Sequence, residues 1–174
     1  MEIKDFTKNV LSDIRVDLTE EFDRNFERKG FFTNKWRGTN LPNRRGSLMV
    51  RSGNLRRSIR SKQSSNEINW SSSLPYASIN NEGGEIVVTD KMKRFFWAMY
   101  YKASGAAKGK GERAQRLSAE AQQWKNLALQ KVGAKMKIEK RQFIGDHPIV
   151  RQRIEDIVDK NMLKLQDHIY NQLK

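Results

Sequence analysis

The sequence predicts an α+β fold in which a small antiparallel β-sheet is flanked by long amphipathic helices at both ends, with an inserted helical hairpin. Two patterns lead to this prediction. Apolar residues recur every three or four positions near each end of the chain, and apolar and polar residues alternate in the middle. The 174 residues are 37% hydrophobic and include 8 Phe, 4 Trp and 4 Tyr, enough for one domain, 1–174, with a substantial core.

An amphipathic helix is predicted over residues 1–29. Gly30 is a natural stop for this helix, because glycine readily takes the left-handed conformation that ends helices. Residues 30–53 follow as a basic loop arm. The apolar residues of the helix form one stripe at helical spacing: Ile3, Phe6, Val10, Ile14, Leu18, Phe22 and Phe26.

Residues 54–89 and 137–145 are predicted to form the β-sheet. Alternation over 54–63 and 66–72, with a short serine turn between them, indicates two antiparallel strands. The turn at Glu82-Gly83-Gly84 leads into a third strand over 85–89, which is rich in β-branched residues. A fourth strand is predicted over 137–144.

Residues 90–135 are predicted to form the helical hairpin, with helices over about 90–103 and 118–132. A linker rich in Gly, Ala and Lys joins them. The last helix is predicted over 147–173, because Pro148 favours the first turn of a helix. Its apolar residues keep the helical period: Val150, Ile154, Ile157, Val158, Met162, Leu165, Ile169 and Leu173.

The formal net charge is +14, and the excess lies between the two terminal helices. From Phe31 to Ser65 there are nine bases and no acid, and from Lys91 to Arg116 there are eight bases against Glu112 alone. Such a field attracts nucleic acid, an acidic membrane surface or an acidic protein partner, and the charge by itself does not choose among them. A solvated basic face is the simplest alternative.

The residue inventory leaves few routes to catalysis. The chain has no cysteine, which excludes disulfides, cysteine-ligated metals and a thiol nucleophile, and it has only two histidines. His147 precedes a proline at a helix start, a position more typical of capping than of catalysis. The segment 108–111 lacks the spacing of a phosphate-binding P-loop. We therefore expect a protein that is not an enzyme and that needs no cofactor.

Neither a membrane span nor a secretion signal is apparent. No apolar run approaches about 20 residues, and the first ten residues carry acids. We therefore expect a soluble intracellular product without a membrane partner.

The aromatic residues of the hairpin have two interpretations. Phe95, Phe96 and Met99 fit the core stripe of a helix, which leaves Trp97 and Tyr101 on another face. Aromatic residues on a basic helix could also stack on bases, as in proteins that bind single strands.

Three segments, separated in the chain, form the most specific pattern. They read GSLMVRSGNLRRSI at 46–59, LPYASINNEGG at 74–84 and RQFIG at 141–145. In this order they resemble the patterns R-S/T-G-x-L-x-x-S-I, P-Y-A-x-I-x-N-x-G-G and R-x-F-I/L-G of the phage virion morphogenesis (tail completion) family of tailed bacteriophages and prophages. The resemblance covers residues 20–89 and 137–150. Two departures are Asn80, where many relatives have histidine, and a hairpin longer than in compact members.

The resemblance implies a structural role in the virion. Members assemble as rings, typically six-fold, at the neck between head connector and tail, with genomic DNA passing through the lumen. The implied partners are further copies of the chain, a head-to-tail adaptor or connector, and a tail terminator or the tail tube or sheath. The implied location is the virion neck, after assembly in the bacterial host cytoplasm. The positive charge supports an alternative to this virion role, a basic nucleic-acid-binding protein.

Two groups of candidate residues follow. Acid-free basic arms suit docking on an acidic neighbouring ring, so the predicted interface comprises Arg37, Arg44, Arg45, Arg51, Arg56 and Arg57. The predicted structural turn comprises Gly53, Tyr76, Asn80, Asn81, Gly83 and Gly84. In that turn we expect Tyr76 to pack against the first helix, Asn80 or Asn81 to bond the backbone of the turn, and Gly83 or Gly84 to take a positive φ.

Overall fold

The structure is a computed structural model that describes residues 3–38, 48–107, 109 and 111–173. Within these residues the helices are α1 (Ile3–Arg28), α2 (Asn54–Ser58), α3 (Ala77–Glu82), α4 (Asp90–Ala106), α5 (Glu112–Ala128) and α6 (Pro148–Gln172). The strands are β1 (Gly30–Phe31), β2 (Asn34–Lys35), β3 (Ile59–Gln63), β4 (Ile68–Ser72), β5 (Gly84–Val87) and β6 (Lys135–Ile138). The α+β class, the long terminal helices and the helical hairpin are confirmed.

The two terminal helices pack against each other in antiparallel fashion. Arg153 of α6 bonds Asp17 of α1 through two hydrogen bonds of 2.7 and 2.6 Å, while Asn161, further along α6, bonds Asp13, which lies earlier in α1. The predicted α1 stripe is buried over most of its length. The first core cluster consists of Val10, Ile14, Leu18, Phe22, Phe31, Phe32 and Val150.

A second core cluster joins Phe26, near the end of α1, to four other parts of the chain, at Trp36, Leu55, Ala77 and Phe143. The rings of Phe26 and Phe143 have centroids 5.2 Å apart, and Trp36 meets Phe26 edge-on at 5.7 Å. Asn25 is completely buried beside them. It accepts a hydrogen bond from the Phe32 amide at 3.0 Å and donates one to the Phe143 carbonyl at 3.2 Å. The turn after α1 and the segment before α6 are therefore fixed by one side chain.

The strands form three separate two-stranded antiparallel sheets, β1–β2, β3–β4 and β5–β6, rather than the single predicted sheet. The β3–β4 hairpin is antiparallel as predicted, with Ser61 opposite Trp70, but its turn spans residues 64–67 rather than the two predicted serines. Residues 54–58, predicted as strand, form helix α2 instead. The reason is that Leu55 and Ile59 are four residues apart, a spacing that places them on one face of a helix as well as one face of a strand.

The fourth strand is shorter and earlier than predicted. β6 spans Lys135–Ile138 and pairs with β5, whereas residues 139–147 are irregular. Their backbone bonds go to α3 rather than to a strand, since the Arg141 amide donates to the Asn80 carbonyl at 2.8 Å. The turn at Glu82-Gly83-Gly84 is the C-terminal end of α3, and Gly84 begins β5.

Part of the predicted basic arm belongs to the core. Residues 30–35 form the tight β1–β2 hairpin, and Phe31, Phe32 and Trp36 are buried. Gly30 is required there, because a Cβ on it would lie 2.7 Å from the Asn34 carbonyl oxygen. The central residues of the arm, 39–47, lie outside the described residues.

The α4–α5 hairpin is held mainly by its own side chains. Phe96 is buried and stacks on Trp124 of α5, with centroids 6.0 Å apart. Phe95 differs from the prediction of a core position: it is 54% exposed and meets Trp124 only edge-on. Trp97 and Tyr101 share another face, as predicted, and stack at 6.0 Å. Buried apolar residues on α5 complete the contact: Ala114, Leu117, Ala121 and Ala128.

Candidate interaction site

A cleft of about 420 Å³ is lined by residues from all three segments that carry the family resemblance. The first segment contributes residues 48–49 and 51–55, the second contributes Tyr76 and Asn80, and the third contributes Arg141. The 56 residues from 85 to 140 separate the second segment from the third. The fold therefore converts three separate patterns into one surface feature.

One wall of the cleft is a compact turn that precedes α2. Met49 and Gly53 take positive φ angles of 64° and 72°. Arg57, one turn into α2, folds back and donates to the Ser52 carbonyl at 2.8 Å and to Asn54 Oδ1 at 3.1 Å. Arg57 is therefore used to fix the turn, although it remains exposed.

The opposite wall is α3 with the segment that follows β6. Asn80 donates through Nδ2 to the Tyr76 carbonyl at 2.7 Å, so it bonds its own turn as predicted. Asn81 reaches further, since its Oδ1 accepts from the amides of Phe143 and Ile144 at 2.9 and 3.1 Å. The expectation that Tyr76 packs against α1 is not met, because Tyr76 lines the cleft and is 43% exposed.

Both predicted turn glycines take positive φ angles, 75° at Gly83 and 140° at Gly84. The space around them is also closed to larger residues. A Cβ on Gly84 would lie 2.8 Å from Cδ1 of Ile79, and one on Gly83 would lie 3.0 Å from the Lys140 amide nitrogen. Backbone geometry and close packing therefore both require glycine here.

The predicted interface arginines divide into distinct groups. Arg51 lies in the cleft, is exposed, and makes no hydrogen bond or ion pair within the described part of the chain. Arg37 lies nearby: its carbonyl accepts from Arg141 Nε at 3.3 Å, and its guanidinium pairs with Glu139 at 3.5 Å. Arg44 and Arg45 lie outside the described residues.

Arg56 has a different role from the one predicted. It leaves the cleft and binds α1, with Nε donating to Asp23 at 2.5 Å, a second bond to the same carboxylate, and a bond to Glu27 at 2.7 Å. These hydrogen bonds raise the pKa of the Arg56 guanidinium above its ordinary value. Arg56 therefore fastens α2 to α1, and its charge is largely satisfied within the subunit.

The chemistry of the cleft suits binding rather than proton transfer. Its lining provides two guanidinium groups, a phenol, amides and a serine hydroxyl, together with the apolar side chains of Leu48, Met49 and Leu55. None of the lining residues is a carboxylate or an imidazole. In the described parts of the chain, no group of His, Asp and Glu side chains is placed to hold a metal ion. The guanidinium, phenol and amide donors of the lining can bind carboxylate groups.

Sequence reasoning missed two residues that build this region. Arg141 was assigned only to a pattern, yet it forms part of the cleft. Asn25 was overlooked, although it lies three residues after Phe22 and therefore on the apolar face of the predicted helix, where a polar side chain is a signal of a buried polar contact. The interpretation of His147 as a cap is confirmed, because its Nδ1 accepts from the Ile149 amide at 3.2 Å.

Comparisons with known proteins identify no relative: no family model, no curated protein and no solved structure matches the chain. Of the helices in the described residues, none has the length and apolar character needed to cross a membrane.

Proposed function

We propose that this protein is a structural component of a tailed-bacteriophage virion, forming a ring at the head-tail junction that joins the tail to the head connector around the DNA channel. The observation that carries the proposal is the cleft, where the three family-like segments meet around Arg51, Tyr76 and Arg141. Residues far apart in sequence are expected to converge when they build one interface.

The character of the cleft supports an assembly role. It is open, bears positive charge, and lies beside the acid-free run from Phe31 to Ser65. Arg51 has no partner among the described residues, so its charge is available to an acidic surface on a neighbouring protein. Gly83, Gly84 and Asn81 hold the walls of the cleft and take no part in chemistry.

Location within particles tests the proposal most directly. Cryo-electron microscopy of virions that carry this protein should place its density in the neck, as a closed ring around the axis. Density in the capsid shell or the tail fibres would contradict the proposal. A monomer in solution would not contradict it, because ring closure can depend on docking against the partner rings.

A nucleic-acid-binding protein is the second candidate, and the exposed face of α4 favours it. That face presents cations interleaved with Phe95 and Tyr101, which is a combination found in proteins that bind single strands. Binding of this kind weakens steeply with salt. Titration of fluorescent DNA at two salt concentrations separates the candidates, since a neck component should function with little dependence on added DNA.

A further inference from the structure

One face of α4 is exposed along its length and carries a regular pattern of charge and aromatic rings. We call it the α4 stripe: Lys91, Arg94, Phe95, Ala98, Tyr101 and Lys102. These residues follow the spacing i, i+3, i+4, i+7, i+10 and i+11, which places them on one side of a helix. Phe95 and Tyr101 are 54% and 65% exposed. The stripe is therefore an apolar strip with cations at both ends.

The second half of α6 carries a stripe of matching geometry. We call it the α6 stripe: Asp159, Met162, Leu163, Gln166, Ile169 and Leu173. Its spacing is i, i+3, i+4, i+7, i+10 and i+14, and its apolar members are from 49% to 81% exposed. The first half of α6 packs on the α1 core, whereas the α6 stripe lies on another side of the helix, in its second half, and faces solvent. Such a continuous exposed apolar face marks an interaction surface.

The charges of the two stripes are opposite. Glu155 lies one turn before Asp159 on the same side of α6, while Lys160 and Lys164 point to other sides. Within the described residues, Glu155 and Asp159 form no ion pair, and neither do Lys91, Arg94 and Lys102. Both stripes thus present unpaired charges of opposite sign beside exposed apolar side chains.

We propose that the α4 stripe of one copy of this protein docks on the α6 stripe of the next copy. The Lys91 and Arg94 end of α4 lies against Glu155 and Asp159, and Phe95, Ala98 and Tyr101 cover Met162 and Leu163. The contact is head-to-tail, because it joins two different surfaces, and repetition of such a contact closes a ring when the rotation between copies allows it. The inference deepens the proposed function by naming the surfaces through which the ring would form.

A symmetric pairing of two α6 stripes fits less well. With its two-fold axis at Gln166, an antiparallel α6 pair places the Asp159 carboxylate of each copy against Leu173 of the other, which leaves the charge unpaired beside an apolar side chain. The α4 stripe supplies cations at that position instead. Charge complementarity therefore selects α4 as the occupant.

The absence of cysteine from the sequence makes a cross-linking test clean. Ala98→Cys and Gln166→Cys each place one thiol at the exposed centre of a stripe. Mixed as separate full-length chains and treated with a short bismaleimide, they should give a covalent dimer, and neither variant alone should. A chain with both substitutions should give a ladder that stops at the ring size. Lys164→Cys, on the opposite side of α6, is the matched control for Gln166→Cys.

Charge exchange provides a second readout. Arg94→Glu should lower the yield of the 98–166 product by about tenfold or more, and Asp159→Arg in the partner chain should restore it. A dimer formed by Gln166→Cys alone would show the symmetric pairing and overturn the inference. If Arg94→Glu lost DNA binding but kept its cross-linking, the inference would also be overturned. The same holds if the chain sediments as a monomer at about 1 mM.

The two proposals can fail separately. A 98–166 product from a protein located outside the neck would keep the head-to-tail contact and overturn the proposed function. A neck location without that product would keep the proposed function and overturn the head-to-tail contact.

Discussion

Asparagine side chains connect parts of this protein that are distant in sequence. Asn25 joins the turn after α1 to the segment before α6, Asn81 holds that same segment to α3, and Asn161 bonds Asp13 across the two terminal helices. An amide both donates and accepts, so one buried side chain can satisfy two backbone groups at once. Fixed polar contacts of this kind determine how the irregular segment 139–147 lies against the helices.

Gly84 provides the sharpest test of the structural turn. Gly84→Val places a β-branched side chain at φ 140° and against Ile79, so we expect the free energy of unfolding to fall by about 1–3 kcal/mol. Thermal and urea unfolding measure it. Gly105→Ala is the matched control, since a Cβ there meets nothing within 4 Å and should leave stability unchanged or slightly higher.

The same turn contains the one carboxylate that a catalytic interpretation would choose. Glu82→Gln should change neither stability nor assembly, because Glu82 is exposed and lies outside the cleft. A stable, assembled Gly84→Val together with a folded but inactive Glu82→Gln would overturn the structural interpretation of the turn.

Glu21 should make stability depend on pH. Burial raises the pKa of its carboxyl, but the hydrogen bond from Arg28, the charges of Arg153 and Arg28 and the bond from Arg24 outweigh burial and lower the pKa below its usual value. A lowered folded-state pKa contributes stability at neutral pH, and that contribution disappears as the pH falls through the folded-state value. Glu21→Gln should therefore cost about 1–3 kcal/mol at pH 7.

Urea unfolding across pH checks the Glu21 prediction. The difference between the native chain and Glu21→Gln should shrink as the pH falls below the ordinary value of 4.5. Glu20→Gln is the control, because Glu20 is 62% exposed and its 3.5 Å pair with Arg24 is worth little. A difference that stays constant with pH would show that the charge of Glu21 does not stabilise the fold.

At the scale of elements, the α4–α5 hairpin enters and leaves the fold at one place. Val87 pairs with Lys135 in the β5–β6 ladder, and the Val88 amide continues it by donating to the Ala134 carbonyl at 2.8 Å. The two ends of the insertion therefore lie side by side. A short turn can join them without moving either strand.

Replacement of residues 89–133 by Asn-Gly should leave a folded protein. The dipeptide favours the turn that closes a two-residue hairpin, and the α1–α6 core lies outside the excised segment. We expect cooperative thermal unfolding to persist and the 98–166 contact between subunits to be lost. Retained self-association of the shortened chain would contradict the docking of α4 on α6, and an unfolded product would contradict the independence of the hairpin.

Elements with long apolar periodicity were predictable, because their pattern is local. The stripe from Val10 to Phe26 specifies α1 whatever surrounds it, and Pro148 marks the start of α6. Helix α2 was not predictable, because the four-residue spacing of Leu55 and Ile59 fits both a helix and a strand. The segment 139–147 was not predictable either, since its backbone is bonded by α3, which is distant in sequence.

The candidate site was predictable only in part, because some of its features follow from local sequence and others depend on residues that are distant in the chain. Positive φ angles at Gly83 and Gly84 follow from local turn chemistry. Which arginines remain available depends on tertiary neighbours: Arg56 and Arg57 are adjacent and identical in type, yet Arg56 meets two carboxylates of α1 and Arg57 meets its own turn. Sequence shows the charge but not the partner.

At the scale of the whole molecule, the basic run and the terminal helices have separate tasks. In the proposed assembly the run presents its charge to neighbouring proteins, whereas α1 and α6 hold the subunit together through the Asp17 and Arg153 pair and the apolar stripe. Apart from Arg56 and Arg57, whose bonds lie within the subunit, charge changes in the run should therefore affect assembly more than folding.

Reversal of Arg44 and Arg45 to Glu tests that separation. We expect thermal stability to change by no more than about 0.5 kcal/mol, while docking on an acidic partner fails. Particles with unjoined heads and tails, counted by electron microscopy, are the expected phenotype. The control is the matched double reversal of Lys160 and Lys164 on α6, which should assemble. Normal joining with Arg44 and Arg45 reversed would show that this part of the run is only a solvated face.

During synthesis, α1 leaves the ribosome while the whole middle of the chain is still to be made. The part of its stripe that packs on α6 has no partner until α6 emerges, so this contact forms late and over a long sequence separation. A chain interrupted before Pro148 would expose Val10, Ile14 and Leu18 and become a target for chaperones and proteases. The same truncation removes the α6 stripe, so unfinished subunits would be cleared and would also lack a surface with which to join a growing assembly.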